Sequence, residues 1–576
     1  MKMKFLVLSL ALTLLLAACG KAPVQTPEPE GNTPEPEETV PVTETMGPVT
    51  EDVVSETKME LVARKLTSDK RFSRQPETDR LLYEEYQQGY PLEDARYILD
   101  PYGLSPLTAV IFFETEEETR VAVSVKGTDE SATIRHEFDT YSMKHSVPVY
   151  GLYAGRENEV EIVAVTKAGE EGRHTLSIRT DALPDDISDV IVEISEPEKM
   201  EYGLTFFDCP HVNGNYFLAI DTNGDIRWYL SDKSFNGCVM LTHLKNGNML
   251  ISSGEAIEGA YNNVRTVYEV TPLGQYVNEY NVYGIHHDIR EESNGNLIFA
   301  ASMEGSDSQN DYIVEVDRET GEILRDWNLR EIIPMTEYDT QPPYTGGLSN
   351  WIHNNAVWYI EAEDAFIISG RHQNMVMKFD ASTKEIRWIL SKTVGELNEE
   401  LRPYLLTPVD EDFEYPMSQH AAMAAPDGSI LLFDNRNYDS VDEDGNLIQD
   451  KLYSRAVRYV IDEENMTVEE VWEYGKETGG ELYSSFVSDV DYLGENHYLI
   501  DFGGMYKAED GSNYDHIYTD ADIKNASIRN SVVVEILNNK VVFKATLTGN
   551  SNSNTYKAER KDIYQNAVEA QFFSWE

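Results

Sequence analysis

Hydrophobic and polar positions change their period along the chain. Met59, Val62, Ala63 and Leu66 recur at helical spacing, and "TDRLLYEEYQ" (78–87) repeats the pattern, which predicts a short helical segment over 57–90. Period two then takes over. "RVAVSVKG" (120–127) alternates Val121, Val123 and Val125, and "NEVEIVAVTKAGEEGRHTLSIRT" (158–180) predicts two strands around a Gly-containing turn. Such strands over 91–190 predict a small Ig-like β-sandwich, with "DALPDDISD" (181–189) at its boundary.

From about 195 to 576 two kinds of hairpin alternate. Six share an alternating strand, a turn and a second strand that often carries an aromatic residue: 216–230, 267–280, 312–327, 375–390, 457–474 and 532–545. Between them lie five of a second kind, at 243–254, 286–302, 353–370, 420–434 and 488–504. Together they make a four-stranded unit recurring about every 45–80 residues. Stacked radially, such units form a β-propeller, which leaves few open sheet edges. The prediction is an all-β chain, a β-sandwich followed by a six-bladed propeller, with one inner strand pair supplied by the two ends of the propeller domain. A β-helix fits less well, because the strands pair through short turns and the repeats are long.

The N-terminus reads as an export signal. Lys2 and Lys4 precede an apolar run, Phe5 to Leu16, that is too short to span a bilayer. "LAAC" (16–19) resembles the bacterial lipobox, which implies cleavage of residues 1–18 and lipidation of Cys19; a plain signal peptide with a chance cysteine is the alternative. Residues 19–56 hold seven prolines with many Glu and Thr and cannot bury a core, so they read as a disordered tether. The expected location is the outer side of the bacterial cell membrane, held by lipid alone. Of three cysteines, Cys209 and Cys238 remain, able to form a disulfide or to stay as two thiols, and no cysteine pair has metal-ligand spacing.

The formal charge of −55 speaks against nucleic acid and anionic membrane surfaces as partners. An anionic small substrate would need a local positive site, so converging His and Arg carry information. His353 opens an inner strand and Arg371 closes its hairpin partner, which brings both to one rim of the disc. His287 lies 10 residues before Leu297, and His420 lies 10 before Ile430. Equal offsets in different blades predict side chains converging on one axial pocket. Arg436, after "LLFDN", occupies a position matching Arg371, whereas His243, 7 before Leu250, does not share the offset. Alternation predicts that His286 and His372 face away from their neighbours His287 and Arg371. Trp228, Trp327, Trp388 and Trp472 read as packing of outer strands.

"HHDI" (286–289), "NWIHNNAVWY" (350–359), "ISGRHQNMVMKFD" (368–380), "QHAA" (419–422), "YSRAVRYVID" (453–462) and "VWEYGKE" (471–477) together resemble the bacterial arylsulfate sulfotransferases. "LDPYGLSPLTAVIFFET" (99–115) and "HSVPVYGLYAGRENEV" (145–160) resemble that family's N-terminal sandwich. The resemblance implies transfer of a sulfuryl group from a phenolic sulfate ester to an acceptor phenol, without a nucleotide donor or other cofactor, through a sulfohistidine and a ping-pong cycle. It implies His420 as nucleophile, His287 as acid/base, His353 and Arg371 as holders of the sulfuryl oxygens, and Asn355 as a further pocket residue. Some relatives have a disulfide close after the nucleophile; no cysteine follows His420 here. Residue chemistry agrees. Sulfuryl transfer, like phosphoryl transfer, passes through a loose transition state with charge on peripheral oxygens, where fixed donors matter most. Two other classes remain. A metal-dependent hydrolase or lactonase would use the histidines with Asp288, Asp434 and Asp489, although Arg371 is a poor neighbour for a dication. A non-catalytic binding propeller is the third, and the sandwich offers a candidate homodimer surface.

Overall fold

The computed structural model describes residues 70–570 apart from 210–214, 233–240, 253–256, 258–262, 335–347, 395–397, 438–447, 509, 515–527 and 550–553. The chain divides into two units, 1–57 and 58–576, and everything described belongs to the second. The signal, Cys19, the tether, Cys238 and the helix expected over 57–69 lie outside the described residues.

A helix, Lys70–Gln87, covers the second predicted helical stretch. It is pinned by Gln75, whose amide exchanges hydrogen bonds with the backbone of Tyr276, and by Asp79, which accepts from Tyr102 and Gln275. The first sheet is built around one long strand, Ala109–Val125. Its upstream half pairs with Arg96–Leu99 and Ser142–Val149, and its downstream half with Ile134–Glu137 and Glu157–Thr166. The register breaks between Glu114 and Thr119, which lets one strand serve both layers of a small sandwich. Val121, Val123 and Val125 point inward, as their alternation requires.

Among the described residues, six sheets of four or five strands follow in chain order, antiparallel except where the short Thr407–Pro408 pairs in parallel with Thr467–Tyr474. The second strands of the middle sheets, Met249–Ser252, Leu297–Ala301, Ala365–Gly370 and Ile430–Asp434, are buried throughout, because each sheet is covered on both faces by its neighbours. Shared apolar clusters join the second sheet to the third, the third to the fourth, the fourth to the fifth and the fifth to the sixth. A last cluster joins the sixth to the first and second, and includes the sandwich core. The sheets therefore close into a ring, a β-propeller.

Closure uses both ends of the domain. Ala558–Lys561 pairs with Leu204–Cys209 to give the first sheet its innermost strand, so the inner pair that has no local hairpin is assembled from the two ends. Asp189–Ser195, on the predicted boundary between domains, instead forms the outermost strand of the sixth sheet against Lys540–Thr548. Buried polar bonds lock the seam. Arg560 on the closing strand pairs with Glu535 of the sixth sheet, both side chains fully buried, and Glu535 also accepts from His497. Trp228, Trp327 and Trp388 are buried in the packing as expected, and Trp472 stacks on Tyr498.

Candidate active site

Innermost strands enter the axial region from one face, and chemistry-bearing residues stand at their entrances. His353 immediately precedes Asn354–Ile360, His420 opens His420–Ala424, and His287 lies two residues before Ile289–Glu291. Tyr556 takes the matching place two residues before Ala558–Lys561. Their rings meet. His287 Nε2 is 2.9 Å from His353 Nε2, and the His287 ring centroid lies 5.6 Å from that of His420 and 4.9 Å from that of Tyr556. Arg371 arrives through the hairpin: Asn354 pairs with Gly370, and the Arg371 N–H donates to the His353 carbonyl at 3.2 Å.

The backbone is bent to make this convergence. His287 and His353 have φ of 65° and 49°, and Ala421, after His420, has 56°. These are left-handed conformations that cost side-chain-bearing residues free energy and concentrate at functional sites. They also correct two expectations. A left-handed residue breaks strand alternation, so His286 does not face away from His287. Their ring centroids are 3.6 Å apart, and His286 Nε2 lies 3.3 Å from His353 Nε2. His372 sits in a 3-10 turn, Arg371–Gln373, rather than on a strand, and its ring packs 4.6 Å from that of His353.

Asparagines hold the histidines. Asn435 Oδ1 lies 2.7 Å from His420 Nδ1, and the same amide donates from Nδ2 to the carbonyls of Ser484 and Val487. Its oxygen is thereby turned to the ring and accepts from Nδ1–H, which leaves the lone pair on His420 Nε2. Asn355 Nδ2 donates to the Gln419 carbonyl at 2.7 Å, so it fixes the residue before His420. Gln419 Nε2 donates to Ser369 and to the Met375 carbonyl, and Asn374 accepts from the Ser418 N–H.

Comparison with known proteins adds a decisive observation. The profile of the Arylsulfotransferase (ASST) family matches residues 190–557, and that of the Arylsulfotransferase Ig-like domain matches 97–181. The chain belongs to the arylsulfotransferase family. It is thus a sulfotransferase by class. It is 24% identical over 511 aligned residues to arylsulfate sulfotransferase AssT of Lelliottia amnigena, covering 71% of this chain and 84% of the relative. The AssT of Escherichia coli O6:H1 gives the same figures. Among solved structures, TolB from Acinetobacter baumannii aligns with a TM-score of 0.35 at 10% identity, covering 71% of this chain and 81% of that one.

In this arylsulfotransferase the site is electrostatically unusual. Arg371 is 9% exposed, and among the described residues no carboxylate forms an ion pair with it. Burial, followed by the Arg371 charge, pushes His420 down to about 3, and burial with the same charge pushes His372 to about 3. His287 and His353 are also driven well below the usual imidazole range, by burial first and then by the neighbouring histidines and Arg371. The pocket therefore sets four imidazoles held neutral, His287, His353, His372 and His420, around one cation, a combination suited to an anion.

Arg436 is placed differently. Its guanidinium pairs with Asp434 at 3.3 Å and Glu414 at 3.9 Å and lies 4.6 Å over the Tyr453 ring, while Asn435, one residue earlier, contacts His420. The candidate metal carboxylates are also engaged or displaced. Asp288 accepts from the Val357 N–H and from Arg290, and Asp434 also pairs with Arg455. Asp489 belongs to a buried network with Asp491, Lys557 and Arg290, where burial raises its pKa well above the usual range. His243 bonds Glu559 between the first and second sheets. Sequence patterns gave no sign of Asn350, Asn435 or Tyr556; for Tyr556, its place before the closing strand, equivalent to that of His287, was the available signal.

Proposed function

We propose that the chain moves a sulfuryl group from a phenolic sulfate ester to an acceptor phenol in a ping-pong cycle through a sulfohistidine at His420. The observation that carries this reading is a buried Arg371, with no carboxylate paired to it among the described residues, whose charge acts on an imidazole, His420, with its Nε2 lone pair left available by Asn435. Sulfuryl oxygens accept hydrogen bonds from the Arg371 fork and from His353 Nε2–H. His420 Nε2 attacks sulfur as the S–O bond to the phenol breaks, and the resulting N-sulfo imidazolium keeps its Nδ1–H on Asn435. The arriving anion offsets the charge of Arg371 and raises the pKa of His287, which takes up a proton and passes it to the departing phenolic oxygen. Neutral His287 then accepts the proton of the incoming phenol, whose oxygen attacks sulfur and breaks the S–N bond. The experiment is chemical quench of enzyme mixed with an aryl sulfate and no acceptor: phenol release in a stoichiometric burst supports the cycle, and release that needs an acceptor sinks it.

One observation favours a second reading. Nitrogens of His286, His287 and His353 lie within 4.8 Å of one another, a spacing that could hold a divalent ion in a metal-dependent hydrolase. Against it, His353 would have to present Nε2 without its proton, placing Nδ1–H against the Nδ2 donor of Asn350, 2.8 Å away. Activity that survives EDTA dialysis supports sulfuryl transfer; a loss restored specifically by Zn²⁺ or Ca²⁺ favours the hydrolase.

We also propose that the protein is exported and lipid-anchored through Cys19 on the outer side of the membrane, supported by the basic, apolar and "LAAC" regions and the tether that follows. Cys19→Ala should release the protein from the membrane fraction or block signal processing, and wild-type membrane retention would contradict this.

A further inference from the structure

The two histidines that flank the sulfuryl position need opposite protonation patterns. His420 must offer a lone pair at Nε2, whereas His353 must offer a hydrogen there. Both are neutral, so nothing about their charge enforces the difference. An imidazole buried between such neighbours could take either tautomer, and the wrong one would put a lone pair of His353 against anionic oxygens.

A chain of amides leads to His353 from two sheets away. Asn263, on the approach to the third strand of the second sheet, donates from Nδ2 to Asn310 Oδ1 at 2.9 Å. Asn310, before the third strand of the third sheet, donates from Nδ2 to Asn350 Oδ1 at 3.1 Å. Asn350 donates from Nδ2 to His353 Nδ1 at 2.8 Å. All three asparagines are at least 97% buried, at 0%, 1% and 3% exposure, so water does not compete for these bonds. Ser302 completes the clasp: its Oγ accepts from the Asn310 N–H and from Asn263 Nδ2. Asn310 is itself left-handed, at φ 58°, a conformation asparagine tolerates better than most residues.

We propose that Asn350 is a positioning residue for the transfer reaction and that, with Asn310 and Asn263 behind it, it holds His353 in the tautomer that carries hydrogen on Nε2. This rests on the sulfuryl-transfer reading given above. Asn310 and Asn350 each give at Nδ2 and accept at Oδ1, and Asn263 heads the relay as a donor to both Asn310 and Ser302. Inverting His353 therefore requires inverting three buried amides together, and one direction of the chain selects one tautomer. Asn435 does the opposite for His420: its oxygen faces the ring, so the proton is drawn to Nδ1. Two asparagines in opposite orientations thus make one histidine a donor and the other a nucleophile.

Asn350→Asp tests this with little change in shape. A carboxylate can still accept from Asn310 Nδ2, but it can only accept from His353. It stabilises the His353 imidazolium, which still has hydrogen on Nε2, and above the raised pKa it leaves Nδ1–H and a lone pair on Nε2. The variant should therefore acquire an alkaline limb in kcat/KM, falling roughly tenfold per pH unit, that wild type lacks. Asn350→Ala removes the clamp without a charge and should lose activity roughly tenfold at every pH, with no new limb. The independent readout is the ¹⁵N spectrum of histidine-labelled, ligand-free wild-type protein, with His353 assigned by the signal lost in His353→Gln. The expected result is protonation at Nε2. Protonation at Nδ1, or an Asn350→Asp profile parallel to wild type, overturns the proposal. The spectrum needs no turnover: correct tautomer without sulfuryl transfer would fault the functional reading alone, and transfer with the wrong tautomer would fault the relay alone.

Discussion

Arg371 concentrates the site's chemistry in one side chain. It is a buried cation without a carboxylate partner among the described residues, and it lowers the pKa of His287, His353, His372 and His420. Its planar fork should matter more than its charge. Arg371→Lys is expected to lower kcat/KM by about 10²–10³, the range for a preorganised donor at a transition state, and turnover within twofold of wild type would remove Arg371 from the sulfuryl group. His287→Ala should leave adduct formation from a nitrophenyl sulfate partly intact, because that phenol needs little protonation, while slowing transfer to a weakly acidic phenol. An equal loss for both substrates would contradict an acid/base role. His420 also leaves a mark on stability. Its folded pKa of about 3 lies below the unfolded value of about 6.5, so the unfolded chain binds the extra proton between them. Its favourable contribution is complete above about 6.5 and is lost as pH falls toward 3. His420→Asn lacks this penalty, so its melting temperature should rise relative to wild type as pH is lowered from 7.5 to 5; a constant difference would place a charged imidazole in the folded site. At this scale the sequence revealed His287, His353, His420 and Arg371 because related offsets recur between blades. Asn350 and Asn435 were hidden because asparagine is common in any turn, and their meaning lies in bonds between segments with no periodic signal.

Strands and their pairings set how well those side chains are held. Alternation and aromatic hairpins made nearly all the sheets legible, because each strand pairs with a neighbour close in sequence. The outer strand Asp189–Ser195 was not legible as part of the sixth sheet, since its partner lies some 350 residues away and no local turn announces the pairing. Left-handed φ at His287 was equally invisible, and it is what turned His286 into the cluster. The seam between first and last sheets depends on Glu535, which pairs with fully buried Arg560 and accepts from His497. Glu535→Ala leaves a buried cation uncompensated, which typically costs about 3–5 kcal/mol. Its melting temperature should fall well below that of wild type, and an unchanged value would mean that the pair does not secure closure.

For the whole molecule, the high negative charge and the neutral-to-positive pocket divide the labour. The body carries a formal charge of −55, whereas the axial site holds the Arg371 cation among neutral imidazoles, a contrast that suits the proposed small monoanionic donor better than a polyanion. Closure of the ring brings Tyr556 from the last strand beside His287 from the third sheet, so the pocket exists only in the finished fold. The central claim is that His420 carries the sulfuryl group between two phenols. The most direct test is a peptide map of enzyme quenched after brief mixing with an aryl sulfate and no acceptor, on wild type and on His420→Asn. The account predicts the mass of one added SO₃ group on the peptide containing His420, its removal on adding a phenol, and no adduct in His420→Asn. An adduct on any other residue, or one that persists in His420→Asn, would contradict it.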